Sequence, residues 1–136
     1  MRKIFELSED FIRKLKFEAL NSPLKRSRII LHDSSESKVQ EMIIALHRDS
    51  NVGIHKHPND KNESYHIIEG FLSVDILSED GILSRKIELS RNGSQFIRIP
   101  GGIWHNPRAI SEFAIYHEVY EGSFIKEIDV CYYNVN

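Results

Sequence analysis

The chain has 136 residues, enough for one domain that buries roughly two-thirds of the surface its unfolded form exposes. Its 18 Lys and Arg against 20 Asp and Glu leave a net charge of −2, so no global field draws it to nucleic acid or to an anionic membrane, and a ligand must be recognised locally. The single Cys131 excludes an internal disulfide and a cysteine-based zinc cluster, no apolar run is long enough to span a bilayer, and the start Met1-Arg2-Lys3-Ile4-Phe5 lacks a secretion signal's apolar stretch, so a cytoplasmic setting is expected.

From Ser8 to Leu20, Phe11, Leu15 and Ala19 recur every four residues with Ile12 beside them. Ser8 can cap the first turn, Glu9 and Asp10 follow it, and Asn21-Ser22-Pro23 ends the pattern, which predicts a short amphipathic helix. Residues 2–28 hold eight basic and four acidic side chains, read as a solvated face, with an anionic substrate or partner as the alternative. Residues 1–26 are expected to form a helix and arm packing on a barrel built from 27–136.

Beyond Ser27, β-rich runs fall at 28–32, 40–48, 53–57, 64–68, 72–77, 83–89, 95–99 and 113–120, with a weaker one at 128–133. Glu79-Asp80-Gly81 marks a hairpin turn and Asn92-Gly93 reads as another. Many short strands without helical crossovers predict an all-β fold, a double-sheet jelly roll or barrel.

His55 and His57 project to one side of a strand, with Lys56 on the other. If the segment carrying Glu63 runs back beside them, its carboxylate joins from the neighbouring strand, and His105 closes the group after the Pro100-Gly101-Gly102 turn. Three neutral nitrogens and one anionic oxygen suit one divalent transition metal (Zn, Fe, Ni or Mn) better than Ca or Mg. Taken alone, a His-x-His pair is more often a solvated strand face.

His55-Lys56-His57, Glu63 and Gly70, followed by Pro100, Gly102 and His105, resemble the two motifs of the cupin superfamily. The spacers 58–62 and 94–99 are each one residue longer than that consensus, and the extra residues are accommodated in loop-like stretches, 58–62 and the turn around Asn92-Gly93. Further blocks narrow the likeness. Ala19 to Arg26, Leu31-His32, Val39-Gln40, Ile54 to Pro58, and Glu118 with Gly122 and Phe124 resemble the WbuC-type cupin-fold metalloproteins over about residues 4–126, although Ser123 stands where that family has proline. The resemblance implies a single-domain cupin that binds metal, acting in surface-polysaccharide, chiefly O-antigen (lipopolysaccharide), biosynthesis. It implies no settled reaction. Cupin barrels frequently pair, so a homodimer through the helix and first strands is expected.

Alternation from Glu63 puts Tyr65 and Ile67 on the ligand side and His66 opposite. Tyr65 is a candidate catalytic hydroxyl or a pocket wall. Glu118 and Gln40 fall in the family blocks, where they line the pocket or orient ligand imidazoles; Glu118 is, with Tyr65, a candidate catalytic acid or base, and is equally readable as a buried structural acid. Arg98, two residues before Pro100, would grip a carboxylate, phosphate or sugar hydroxyl if it faced inward. Trp104 is a sugar-stacking wall or plain core, His32 and His47 are read as satisfied histidines, and Cys131 as inert.

An ion with four protein donors and an open position would assist isomerisation, epimerisation or another modification of a sugar intermediate. A non-catalytic sugar- or metabolite-binding module is the alternative, as is a metal-dependent dioxygenase of small molecules. A structural tetrahedral zinc is disfavoured by the absence of cysteine ligands. A metal-free nucleotide-sugar isomerase leaves Glu63 unexplained.

Overall fold

The computed structural model describes residues 3–134; Met1, Arg2, Val135 and Asn136, which the expected arm and barrel include, lie outside the described residues. Helix α1 (Glu9–Asn21) is followed by strands β1 (Arg26–Ile30), β2 (Val39–His47), β3 (His55–Lys56), β4 (Glu63–Glu69), β5 (Leu72–Leu77), β6 (Leu83–Leu89), β7 (Phe96–Ile99), β8 (Trp104–Ala109) and β9 (Phe113–Glu121). A helical turn α2 (Lys126–Asp129) and strand β10 (Cys131–Tyr132) close the chain. The strands form two five-stranded sheets, in the orders β1-β2-β9-β4-β7 and β10-β3-β8-β5-β6, and every ladder within them is antiparallel. Packed face to face, they make the jelly roll expected from the strand spacing.

Helix α1 starts where Ser8 Oγ accepts the Phe11 backbone N–H at 3.3 Å, and it ends at extended Ser22, ahead of Pro23. Leu15 and Ala19 are buried against Ile43, Ala45 and Ile115, on the outer faces of β2 and β9. Burying Leu15 alone stabilises this contact by about 2 kcal/mol. The main core lies between the sheets, where Leu46, Tyr65, Ile67, Leu72, Val74 and Leu89 meet. Strands β2 and β9 are therefore covered on both faces along part of their length, which is why their sequences do not alternate cleanly.

Two expectations are corrected here. Asn92-Gly93 does not close a hairpin: β6 and β7 belong to different sheets, so this turn carries the chain across the sandwich. Strand β8, which carries His105, was hidden in the sequence by Pro107. Its neighbour β3 pairs with β8 only at His105, so Pro107 sits where β8 has β5 as its one ladder partner and the missing N–H costs little. The 53–57 run narrows to His55–Lys56, and the weak 128–133 run divides into α2 and β10.

Among the described residues no helix is long and apolar enough to cross a membrane.

Candidate metal centre

His55 and His105 lie directly opposite one another in the β3–β8 ladder. Glu63 starts β4 in the other sheet, paired with Ile99 on β7 and Tyr120 on β9. The carboxylate thus reaches the histidines across the barrel, not from an adjacent strand as the sequence suggested. His57 stands one residue beyond β3, and the second motif is tied to it by a hydrogen bond from Gly102 N–H to the His57 carbonyl at 2.8 Å. That turn needs glycine, because Gly102 has φ +83° and a Cβ there would lie 2.3 Å from Asn59 Oδ1.

The four side chains converge: one ligand atom from each of His55, His57, Glu63 and His105 lies within 4.8 Å of the others. Glu63 Oε2 is 2.8 Å from His57 Nε2 and 3.0 Å from His105 Nε2. His105 and Glu63 are 0% and 2% exposed, so the cluster is walled from bulk water on the protein side. Each ring is aimed by its second nitrogen. Nδ1 of His55 donates to the Gly53 carbonyl at 2.9 Å, that of His57 to the Asp129 carbonyl at 2.6 Å, and that of His105 to the Ile103 carbonyl at 2.8 Å. A carbonyl only accepts, so in the neutral rings the proton resides on Nδ1 and the Nε2 lone pairs face inward.

Lone pairs directed at a carboxylate oxygen repel unless a positive charge stands between them. His57 Nε2 shows the conflict: it is buried and has no well-aligned hydrogen-bond partner. Three imidazoles with pinned tautomers plus one carboxylate form the donor set a borderline divalent cation takes, so the residues fit a metal ion. Burial, together with the nearby His105, depresses the His55 pKa to about 4, keeping it neutral and available as a donor. Burial of His57 is outweighed by the Glu63 carboxylate 2.8 Å from its Nε2, which raises that ring's pKa. Burial likewise disfavours ionised Glu63, yet the neighbouring His105, His57 and Glu118 side chains outweigh it and hold its pKa well below the usual range.

Tyr65 and Glu118 pair across β4 and β9 and face the cavity beside Glu63. Burial, then the Glu63 charge, push the Glu118 pKa well above that of an ordinary carboxyl and keep Tyr65 a neutral phenol. Gln40 lines the same cavity, but its amide nitrogen is committed to the carbonyls of Ser34, Ser35 and Ser37 at 3.1, 3.3 and 2.8 Å, which pins the loop at the mouth.

Arg98 and Trp104 are not at the cavity. Ile97 and Ile99 point inward from β7, so alternation turns Arg98 to solvent. His105 takes the inward position on β8, which leaves Trp104 outside, where Nε1 donates to Glu79 Oε2 at 3.2 Å, Lys56 Nζ lies 4.4 Å from the ring centroid, and Tyr133 packs edge-on. The cavity has a volume of about 720 Å³, and sequence reasoning missed several of its walls. Arg26 and Arg28 reach it from β1, Tyr116 and Tyr120 from β9. The sequence does carry a signal for the arginines, their i, i+2 spacing on a strand. Asp129, whose carbonyl holds His57, gave none.

Several solved structures share this architecture. Oxalate oxidase in complex with the substrate analogue glycolate is 16% identical with a TM-score of 0.62, over 82% of this chain and 57% of that one. CapF with the inhibitor 3-isopropenyl-tropolone is 15% identical with a TM-score of 0.63, over 80% of this chain and 34% of that one. KdgF from Halomonas sp. is 14% identical with a TM-score of 0.55, over 74% and 82%. The chain thus spans about half of oxalate oxidase and a third of CapF. These neighbours are cupin-fold proteins, and the likeness shows that this chain has the cupin fold. No curated protein sequence matches it. Residues 7–89, more than half of the chain, match the family described as a domain of unknown function, DUF6016, and the chain belongs to that family.

Proposed function

We propose that this protein is a metal-dependent cupin that modifies a small, oxygen-rich substrate, with His55, His57, Glu63 and His105 as the ligands of one divalent transition metal. The observation that carries the reading is the convergence of three Nε2 atoms and the Glu63 carboxylate, each ring held by an Nδ1–H bond to a backbone carbonyl. When bound, such an ion supplies Lewis-acid polarisation of a substrate oxygen. The surrounding side chains do the rest. Tyr65 and Glu118, both held protonated on the cavity wall, are placed to hold or deliver a proton, and the buried aliphatic wall behind them keeps water from the cluster. Glycolate and tropolone, carried by two structural neighbours, are oxygen-rich ligands, in keeping with a substrate of that kind.

The WbuC-type motif blocks support a finer reading, isomerisation or epimerisation of a sugar intermediate in surface-polysaccharide biosynthesis by a cytoplasmic homodimer. Sedimentation of the purified protein checks the dimer. Elemental analysis of freshly purified protein tests the centre itself. About one transition-metal ion per chain is expected, falling to a background level in H57A; a chain that takes up no Zn, Fe, Ni or Mn, or an H57A variant with full occupancy, overturns the assignment. A binding module without turnover is the second reading, and the protonated pair Tyr65 and Glu118 beside the ligands favours the enzyme.

A further inference from the structure

Strand β1 is the edge of its sheet, and its same-face positions Arg26, Arg28 and Ile30 line the cavity. Arginines at i and i+2 of a strand stand about 7 Å apart, close enough to repel and close enough to share one oxyanion. Neither forms an ion pair among the described residues, and the one carboxyl that feels the Arg28 charge, Glu118, is held protonated by burial and by Glu63. Arg26 Nη1 reaches only the neutral Ser50 Oγ at 3.4 Å and the Asn51 carbonyl at 3.3 Å, and Arg28 makes no ion pair among the described residues. Of the carboxylates on the cavity wall, Glu63 is turned to the histidines, Glu118 is hydrogen-bonded to Glu63, and Asp33 sits at the mouth without touching either guanidinium.

Position along the sheet fixes how far this basic end lies from the histidines. Three strand spacings separate β1 from β4 in the order β1-β2-β9-β4, so the backbones of Arg28 and Glu63 are more than about 14 Å apart. Arg28 is in register with Ile44, Tyr116 and, on β4, Ile67, four residues along from Glu63. The backbones therefore lie roughly 19 Å apart, and the two side chains leave a gap on the order of 10 Å. Between the two ends the lining is mixed, with apolar Leu24, Ile44, Val52 and Pro107 beside Tyr116 and Glu118 of β9. A cavity of about 720 Å³ is far larger than a two-carbon acid such as glycolate requires and falls in the range of sites for ligands of drug-like size.

We infer that the cavity takes a two-ended substrate, with its reacting oxygens at the histidine cluster and a phosphate or carboxylate held about 10 Å away by Arg26 and Arg28. The inference rests on the metal-centre reading for one end and stands on the arginines for the other. The guanidinium pair selects for the second anion, so a substrate lacking it loses affinity while a shorter acid fails to bridge.

Titration calorimetry of the zinc-loaded protein with three six-carbon probes separates the ends. Gluconate carries one carboxylate, glucarate a carboxylate at each end, and 6-phosphogluconate a carboxylate and a terminal phosphate. Wild type is expected to bind at least one doubly anionic probe about 10-fold or more tighter than gluconate. The same preference should shrink to about 2-fold or less in R28Q and in R26Q/R28Q, with zinc content unchanged. Which probe gains affinity identifies the oxyanion. Equal affinity for all three probes in wild type, or a preference that survives in R26Q/R28Q, overturns the inference. Zinc content is measured on every sample, so a chain that holds no zinc yet loses its anion preference in R28Q sinks the metal reading and leaves the arginine subsite standing. Arg28 is solvent-exposed on an edge strand, so its replacement is compatible with folding; R28K, which keeps the charge, should retain part of the preference.

Discussion

Replacing Asp129 with alanine should weaken metal binding from outside the ligand set. Asp129 is 1% exposed, and its carboxylate accepts three donors: Lys61 Nζ at 2.7 Å, the Tyr120 hydroxyl, and the Ile125 backbone N–H at 2.7 Å. Its backbone carbonyl accepts the Nδ1–H of His57, so the residue joins the C-terminal turn α2 to the metal centre. Removing one partner of a buried charge pair costs about 3–5 kcal/mol, and the Lys61 side chain, 20% exposed, regains some hydration, which places D129A near about 3 kcal/mol. With an unfolding entropy of about 2.1 cal/mol/K per residue, 136 residues convert that loss to roughly 10 °C in Tm. Loosening the group that orients a ligand imidazole typically lowers metal affinity about 10–100-fold. Urea unfolding gives the first quantity and zinc competition against a chromophoric chelator gives the second. A D129A protein that is destabilised as expected yet holds zinc with wild-type affinity would refute the claim that this segment positions His57.

Other consequences follow the same geometry. His55 titrates near 4 in the folded protein against about 6.5 unfolded, so in the metal-free protein its contribution is present above pH 6.5 and is lost as pH falls through 4. The stability difference between wild type and H55Q, measured by urea at pH 7 and pH 4, should therefore shift by roughly 3 kcal/mol against wild type at the lower pH; an unchanged difference would show that the ring is not held neutral. R98A should alter stability by no more than about 0.5 kcal/mol and leave probe affinities unchanged, since Arg98 faces solvent; a loss of affinity would return it to the binding surface. W104A should destabilise by about 3 kcal/mol through lost packing while zinc stoichiometry stays at the wild-type value, a pairing checked by thermal melts and elemental analysis on one sample. Zinc at 1,000 times its Kd should raise folding stability by about 4 kcal/mol, and excess chelator should reverse the shift; a melting curve indifferent to both argues against the centre.

The cluster of His55, His57, Glu63 and His105 was legible because alternation along a strand and a glycine-bearing turn are local, and local chemistry survives in the sequence. Where Glu63 comes from was not legible, since pairing between strands distant in sequence decides which sheet a residue joins. Strand β8 was lost to Pro107, whose exclusion from ladders is lifted by the two-residue length of β3. The outward faces of Arg98 and Trp104 could have been read from their neighbours: Ile97 and Ile99 flank the one, and His105 follows the other. Arg26 and Arg28 present the opposite difficulty. Ile29, between Arg28 and Ile30, packs toward α1, so on β1 the ordinary rule that apolar side chains face the core assigns the wrong side to the barrel.

That inversion follows from how the sandwich is covered. Helix α1 makes a second apolar layer outside β1, β2 and β9, which releases the inner face of β1 from having to be apolar and lets Arg26 and Arg28 line the solvent-open cavity. Deeper in, the hydrophobic core of Tyr65, Ile67, Leu72 and Val74 joins the two sheets and runs up to Ile99, the ladder partner of Glu63. There polar side chains join the apolar contacts of Ile99 and Ile103 between the sheets. His55 and His105 reach in from one sheet, Glu63 from the other, and His57 from a loop held by α2. An ion held by these four residues would bind the two sheets to one another beside that packing, so metal binding at this cluster would also stabilise the fold.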